Sequence, residues 1–287
     1  MRVRPHRPAW LDKKIDFRAM HDTEMRLKDL ELHTVCHQAR CPNISECYSR
    51  GTATFLIMGE ICTRGCSFCG VRHGTPLPPD PGEAGRVAEA VRRMNIRHAV
   101  ITSVTRDDLP DGGAGAFAAV IKELRKPGGP DTVEVLVPDF NGSEASIRIV
   151  ADAGPDIFGH NVETVPSLYG DRGNCDYNRS LKVLESAKRC SPGMKTKSAL
   201  MLGMGETGQE IIGTMGDLRG VQCDYLSIGQ YLQPGRGNTP VKEYIAPGQF
   251  ERYREIALTM GFFHVESGVY VRSSYMADSY QLKSPLP

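Results

Sequence analysis

The sequence predicts an α/β fold built around a parallel sheet. Six short apolar segments rich in β-branched residues follow one another from residue 53 onward. Each is followed by a segment with the apolar spacing of an amphipathic helix. No internal repeat or low-complexity tract interrupts this order. Such alternation implies parallel strands joined by right-handed crossovers, either as an open doubly wound sheet or as a barrel-like wrap.

The elements are predicted in order along the chain. Residues 1–30 form a polar arm with one short helix at 22–32, and residues 33–51 form a loop that carries cysteines. The strands and their following helices are 53–58 with 83–94, 99–104 with 115–124, 133–137 with 143–151, 156–162 with 179–188, 196–202 with 209–218, and 225–228 with 247–260. In such sheets ligands gather at the carboxyl ends of the strands.

Composition excludes several classes of protein. The 287 residues contain 35 Lys and Arg against 34 Asp and Glu, so the net charge of +1 gives no reason to expect nucleic acid or a membrane surface. No apolar run approaches the roughly 20 residues of a bilayer span. Residues 1–15 lack the apolar core of a secretory signal, and nine cysteines are an odd number. We therefore expect a cytoplasmic protein whose cysteines bind metal and do not form disulfides.

Three cysteines directly follow the first predicted strand. Cys62, Cys66 and Cys69, here called the 62–69 triad, have C-x3-C-x2-C spacing. Three thiolates on one short loop can bind three irons of a 4Fe–4S cube, which leaves the fourth iron open to an amine and a carboxylate. Phe68 would shield one face of the cluster. A structural zinc site is the alternative, although zinc prefers four protein ligands.

A second triad precedes the first strand. Cys36, Cys41 and Cys47, here called the 36–47 triad, have C-x4-C-x5-C spacing. Either His33 and His37 complete a zinc site, or the triad holds a second iron–sulfur cluster whose fourth ligand lies far along the chain. The remaining cysteines are interpreted as buried or incidental thiols: Cys175, Cys190 and Cys223.

The segment CTRGCSFC resembles the signature of the radical S-adenosylmethionine (SAM) enzymes. In that superfamily the open iron binds the amine and carboxylate of SAM, and an electron from the cluster cleaves SAM to methionine and a 5′-deoxyadenosyl radical. The 36–47 triad further resembles the lipoyl synthase family. So do the segments 76–83, 101–117, 133–140, 160–169, 196–207, 225–234 and 271–278.

The resemblance implies a partial (β/α)6 TIM-like barrel. Residues 53–265 would form this barrel, 1–52 an N-terminal extension that carries the second triad, and 266–287 a C-terminal extension. The RSSY motif of the C-terminal extension would supply the fourth ligand of the auxiliary cluster, as Ser273 or, less favoured, Ser274.

The resemblance also suggests how SAM is held. Asn161 and Glu163 could grip its ribose hydroxyls and Arg179 its carboxylate. Gly203 and Gly205, part of a G-x-G-x-x-G pattern, could let the backbone approach SAM closely. The same pattern as a dinucleotide fingerprint is weak here, because it follows the fifth strand.

The implied activity is insertion of two sulfur atoms into an octanoyl chain on a lysine of a carrier protein or domain. It would use two 4Fe–4S clusters and two SAM per product, an electron donor such as ferredoxin or flavodoxin, and an iron–sulfur cluster carrier. Alternatives are another radical SAM enzyme that inserts sulfur or transfers methylthio groups, and a cysteine-rich zinc-binding interaction module. Four features depart from the family pattern: Gly70, Gly159, Tyr270 and the segment 235–241.

Overall fold

The computed structural model describes residues 6–13, 17–50 and 52–280. Its strands are β1 (His33–Thr34), β2 (Thr54–Ile57), β3 (Ile61–Cys62), β4 (Arg72–His73), β5 (His98–Ser103), β6 (Thr132–Leu136), β7 (Ile157–Gly159), β8 (Lys195–Leu202), β9 (Tyr225–Gln230) and β10 (His264–Gly268). Its α-helices are α1 (Phe17–Asp29), α2 (Val35–Gln38), α3 (Ile44–Ser49), α4 (Glu83–Arg93), α5 (Ala114–Leu124), α6 (Glu144–Asp152), α7 (Tyr177–Cys190), α8 (Gly208–Gly220) and α9 (Pro247–Thr259).

Parallel strands make up most of the main sheet. Within the described ranges the order is β1-β2-β5-β6-β7-β8-β9-β10, with β1 antiparallel to β2 and every other pair parallel. A helix follows each of the six predicted strands, and β1 and β10 lie at the two edges. The prediction of an α/β fold with a partial barrel is confirmed.

Three details differ from the sequence prediction. The sheet gains β10 as a seventh parallel strand, and this strand crosses the expected boundary at 265/266. Strand β7 is shorter than expected, because it ends at Gly159 and not at residue 162. The predicted cysteine loop at 33–51 contains β1, α2 and α3.

Apolar side chains fill the space between the sheet and its helices. One cluster joins α4, α5 and α6 to β2, β5 and β6, with residues such as Val87, Phe117 and Ile101 fully buried. A second joins α8 and α9 to β8 and β9. Burial of this kind is the main source of the fold's stability, and it leaves the carboxyl ends of the strands free to carry a site.

The C-terminal tail, residues 269–280, bridges the two sides of the open sheet. Ser274 Oγ accepts a hydrogen bond from Thr54 Oγ1 in β2 at 2.7 Å, and the Tyr280 hydroxyl lies 2.8 Å from Ser227 Oγ in β9. Gly229 permits this course, because a Cβ there would come within 2.0 Å of the Val271 carbonyl oxygen. The predicted extension beyond residue 280 lies outside the described residues.

No helix in the described ranges has both the length and the apolar character that crossing a bilayer requires.

Candidate active site

Two adjoining cavities open at the carboxyl ends of the parallel strands. The larger, of about 420 Å³, is lined by Cys36, Cys41 and Ser273. The smaller, of about 210 Å³, is lined by the whole 62–69 triad. Seven residues line both: Val35, Phe68, Cys69, Val71, Leu136, Asn161 and Glu163. The whole 62–69 triad and two members of the 36–47 triad, which are separate in the sequence, therefore border two adjoining cavities, while Cys47 lines a different pocket.

The loop of the 62–69 triad is anchored at its base by the short parallel pair of β3 and β4. Cys62 Sγ accepts hydrogen bonds from the backbone N–H of Arg64 at 3.4 Å and of Thr105 at 3.3 Å. Cys69 Sγ accepts one from the Val71 N–H at 3.4 Å. Backbone donors aimed at sulfur stabilise thiolates and tune iron–sulfur clusters, so this loop is chemically suited to hold one.

The segment 235–241, which departs from the family pattern, packs against this loop. Asn238 Nδ2 donates to the carbonyl oxygens of Ser67 at 3.1 Å and of Cys69 at 2.8 Å. Thr239 N–H donates to Ser67 O at 2.9 Å. Polar groups of the segment 235–241 therefore fix the loop of the 62–69 triad.

Phe68 is 8% exposed and packs with Met204, Tyr231 and Val241, alongside Cys66 and Cys69. This position agrees with the shielding expected of it. Gly70 has Pro234 on one side and Ala39 on the other, where a Cβ would meet atoms at 3.0 and 3.4 Å. The space at Gly70 is therefore taken by packing between the two cysteine segments.

The 36–47 triad is compact. Burial raises the pKa of Cys36 to about 12 and that of Cys47 to about 11, and in both cases Cys41 is the next cause. The thiols of this triad therefore lie within electrostatic range of one another. A bound cation would reverse this effect and favour the thiolates. The donor set thus fits a metal centre.

Each thiol of the two triads has its own local partners. All nine cysteines are free, and among the residues that the structure describes no three Cys, His, Asp or Glu side chains converge on one metal-sized point. Cys66, for example, donates to the Arg172 carbonyl oxygen at 3.3 Å. The fit to clusters rests on the number, chemistry and placement of the sulfurs around one cavity.

Both serines of the RSSY motif line the larger cavity. Ser273 Oγ donates to Asn161 Oδ1 at 3.0 Å, while Ser274 is bonded to Thr54, which itself hydrogen-bonds the thiol of Cys36. Ser274 is therefore linked to the 36–47 triad through one side chain. The assignment of Ser273 as a ligand stays a prediction.

The two histidines of the zinc alternative lie apart. His33 Nδ1 is 4.0 Å from Glu60 and borders a different cavity, and His37 is exposed. Neither lines the cavity that contains Cys36 and Cys41.

Asn161 and Glu163 lie where the two cavities meet, as a SAM contact requires. Asn161 Nδ2 donates to Glu163 Oε1 at 3.0 Å, and burial raises the pKa of the Glu163 carboxyl. Strained backbone at Glu163 orients its side chain toward the shared space.

Three other predicted SAM contacts lie away from both cavities. Arg179 Nε donates to Asp139 at 2.7 Å. A Cβ at Gly203 would come within 2.3 Å of Gln230 Nε2, and a Cβ at Gly205 would come within 2.8 Å of Lys242. Both glycines therefore pack against other groups of the protein. These residues have structural partners, and nothing in the geometry supports a SAM contact for them.

Arg172 was missed by the sequence analysis. It is 8% exposed, lines the smaller cavity and donates to the carbonyl oxygens of Asn161 at 3.1 Å and Val162 at 3.2 Å. Its Nε is buried without a partner, and it forms no ion pair among the described residues. A buried cation of this kind favours an anion in the cavity.

His160 and Cys175 also line the smaller cavity. His160 Nδ1 lies 2.9 Å from the Val137 carbonyl oxygen, and burial with the nearby Arg172 lowers its pKa to about 4, so the ring is neutral. Cys175, interpreted from the sequence as an incidental thiol, is hydrogen-bonded to Cys66. That bond lowers the pKa of Cys175 to about 6 and raises the pKa of Cys66. Neither contact has a sequence signal, because tertiary folding creates both.

The fold and the cysteine loop define the class. Residues 56–218 match the radical SAM superfamily. Among solved structures, methylornithine synthase aligns with a TM-score of 0.54 at 14% identity, covering 92% of this chain and 88% of that one. The FeFe-hydrogenase maturase HydG from Carboxydothermus hydrogenoformans aligns with a TM-score of 0.58 at 13% identity, covering 71% of this chain and 50% of that one. The protein is a radical SAM enzyme.

Its relatives define the family. The chain is 56% identical over 281 residues to lipoyl synthase from Citrifermentans bemidjiense, covering 98% of this chain and 96% of the relative. It is 55% identical over 274 residues to lipoyl synthase from Geobacter sulfurreducens, covering 96% of this chain and 90% of the relative. The chain belongs to the lipoyl synthase family, and the zinc-module alternative is wrong.

Proposed function

We propose that this enzyme inserts two sulfur atoms into an octanoyl chain amide-linked to a lysine of a carrier protein or domain. The observation that carries the proposal is that Cys36 and Cys41 of one triad and the whole 62–69 triad line two adjoining cavities that share seven residues. A reaction that needs a radical source and a sulfur source on the same carbon chain requires this arrangement.

The 62–69 triad would hold the 4Fe–4S cluster that binds SAM, and the 36–47 triad with Ser273 would hold the second. When bound, the first cluster supplies the electron that cleaves SAM, once per sulfur and so twice per product, and the second supplies the sulfur. A serine oxygen is a harder and more exchangeable ligand than a thiolate, which suits a cluster that is consumed.

The chain's own residues bind and orient SAM. Asn161 and Glu163 offer an amide and a carboxylate to the ribose hydroxyls at the junction of the cavities. Arg172 replaces Arg179 as the guanidinium for the SAM carboxylate, because Arg172 lines the cavity, its Nε has no partner and it forms no ion pair with the residues that the structure describes. Phe68 excludes water from the side of the 62–69 triad.

The larger cavity suits the alkyl chain. Apolar side chains from strands and from the segments that follow them line much of its wall: Leu136, Ala199, Leu200, Met201, Leu232 and Val271. Each buried methylene contributes about 0.8 kcal/mol to binding. The open mouth admits an arm that remains attached to another protein.

The same proposal implies partners and a compartment. A cluster that delivers single electrons needs a one-electron donor such as ferredoxin or flavodoxin, and a consumed cluster needs an iron–sulfur carrier to rebuild it. We place the enzyme in the cytoplasm, since its nine free thiols suit a reducing compartment.

Isotope labelling tests the proposal. The protein is loaded with clusters that contain a heavy sulfur isotope, transferred to buffer without sulfide, and given SAM, reductant and an octanoyl-lysyl peptide for a single turnover. Mass spectrometry is expected to find two heavy sulfurs in the lipoyl product. Unlabelled sulfur, or a methylthio product, would contradict it.

A further inference from the structure

Cys175 presents a fourth sulfur to the smaller cavity. It lies between the 3₁₀ helix Pro166–Arg172 and α7, directly before the N-cap Asp176, whose side chain accepts from the Arg179 N–H at 2.7 Å. The cap fixes the direction of the chain at this point. As a result Cys175 lines the same 210 Å³ space as the 62–69 triad.

Direct contacts tie this thiol to the triad's loop. Arg64, between the first two triad cysteines, donates from Nη1 to Cys175 Sγ at 3.4 Å. The Cys66 and Cys175 thiols also interact with each other. Cys175 therefore lies beside one of the three sulfurs that would each bind one iron of the cluster.

Arg172 provides an independent indication that this place receives an additional anion. Its side chain is 8% exposed, its Nε is buried without a partner, and its positive charge acts on both Cys66 and Cys175. Arg64 does not fill this role, because Asp107 and Asp139 already neutralise it at 2.6 and 2.8 Å.

We propose that Cys175 binds the open iron of the 62–69 cluster while SAM is absent and that SAM displaces it. This rests on the proposed binding of a 4Fe–4S cluster by the 62–69 triad. On binding iron the Cys175 thiol releases one proton to solvent. When the amine and carboxylate of SAM take the iron, the thiolate leaves and regains a proton, and no electron is transferred in either direction.

Two consequences follow from the exchange. A fourth thiolate protects the cluster from losing its open iron, because an iron whose terminal ligand is a thiolate is harder to release than an iron whose terminal ligand is solvent. SAM must also compete with an internal ligand, so its apparent affinity is lower than that of an open site.

Mild oxidation measures the first consequence. One-electron oxidation by ferricyanide converts 4Fe–4S2+ to 4Fe–4S3+, which releases Fe2+ and leaves 3Fe–4S+. This product has a distinct low-temperature electron paramagnetic resonance signal. The full-length chain is loaded anaerobically in a background where Cys36, Cys41 and Cys47 are alanine, so that one cluster contributes. Without SAM, Cys175→Ala is expected to give roughly fivefold more 3Fe–4S signal than the background protein.

The matched control is Cys190→Ala, which removes a half-buried thiol at the end of α7 away from both cavities. It is expected to match the background protein. Added SAM should reduce the 3Fe–4S signal of Cys175→Ala. In the chain with all other cysteines native, Cys175→Ala should bind SAM severalfold more tightly.

The role of Cys175 would be overturned by equal SAM affinities, or by equal 3Fe–4S yields in three proteins: Cys175→Ala, Cys190→Ala and the background protein. If the background protein binds iron and SAM but gives the same 3Fe–4S yield as Cys175→Ala, only the role of Cys175 is refuted. A background protein that binds no iron refutes the proposed assignment of the 62–69 triad together with it.

Discussion

Two arginines near the smaller cavity differ in what surrounds their charge. Arg179 is paired with Asp139, whose pKa falls to about 2 because the pull of Arg64 outweighs the effect of burial. Arg172 donates from Nη1 to carbonyl and hydroxyl oxygens, its guanidinium lies 5.0 Å from the centroid of the Tyr169 ring, and its Nε has no partner among the described residues. A buried group that lacks a partner gains most when a ligand supplies one.

Replacing each arginine separates these roles. Arg172→Met is expected to weaken SAM binding roughly 10- to 100-fold, the equivalent of one charge-assisted hydrogen-bonded contact. Arg179→Met should leave SAM affinity within about twofold, because its partner is Asp139. Titration calorimetry on cluster-loaded protein measures both. Loss of affinity in Arg179→Met alone would restore the sequence-based assignment.

The serine ligand can be assigned in the same way. Ser273→Ala is expected to keep the 62–69 cluster and SAM cleavage and to lose lipoyl formation, while Ser274→Ala should retain product and lose only its bond with Thr54. Iron content and product mass are measured on both variants. Activity in Ser273→Ala with none in Ser274→Ala would move the ligand one residue along the chain.

At the residue scale, the sequence can indicate a site only where function depends on local spacing. The cysteines of each triad lie within about a dozen positions, so their grouping is visible in the sequence. Arg172 and Cys175 were missed because their contacts join distant segments; Arg64 and Cys175 are 111 residues apart. Arg179 was chosen over Arg172 because the start of α7 is predictable, whereas the 3₁₀ helix that carries Arg172 is not.

Secondary-structure elements, like site residues, were predicted where the local sequence pattern is clear. The six predicted strands were found because continuous apolar runs indicate strands buried on both faces. Strand β10 (His264–Gly268) escaped prediction because it is an edge strand with mostly half-buried and polar residues. Strand β1 and helices α2 and α3 are too short for periodicity to detect, and α2 begins at the cap of Thr34, which accepts from His37 N–H at 3.4 Å.

Inside the sheet a charged pair links β6 to β8. Lys197 Nζ lies 2.8 Å from Glu134 Oε1, each side chain is 1% exposed, and His98 Nε2 lies 2.9 Å from Glu134 Oε2. Burial alone would raise the pKa of Glu134, but Lys197 and His98 outweigh it and the pKa is lowered. The ionised carboxylate therefore contributes stability above the ordinary glutamate pKa of about 4.3 and loses it as the pH falls.

Glu134→Gln should reduce the free energy of unfolding at pH 7 by about 3–5 kcal/mol, because Lys197 becomes a buried cation without a carboxylate. The double variant Glu134→Gln with Lys197→Met should recover much of that loss and depend less on pH below about 4.3. Urea unfolding of the apoprotein measures both. Equal stability of the single variant and the native protein would contradict this account of the pair.

On the scale of the whole molecule, the open sheet is completed by its two ends. The N-terminal segment brings the 36–47 triad beside β2, and the C-terminal tail crosses from β10 to β2 with the RSSY serines on it. Family resemblance indicated these extensions, yet only the fold reveals that Cys36, Cys41 and the 62–69 triad border adjoining cavities. A carbon chain entering there meets each triad in turn.

The central claim is that the two triads have separable roles on one substrate. The most direct test replaces the 36–47 triad by alanine in the full-length chain and follows two products in one reaction by mass spectrometry. With SAM, reductant and octanoylated carrier protein, this variant should still form 5′-deoxyadenosine while leaving the octanoyl chain without sulfur. Cys66→Ala, run beside it, should form neither product. Lipoyl product from the 36–47 variant, or deoxyadenosine from Cys66→Ala, would contradict the account.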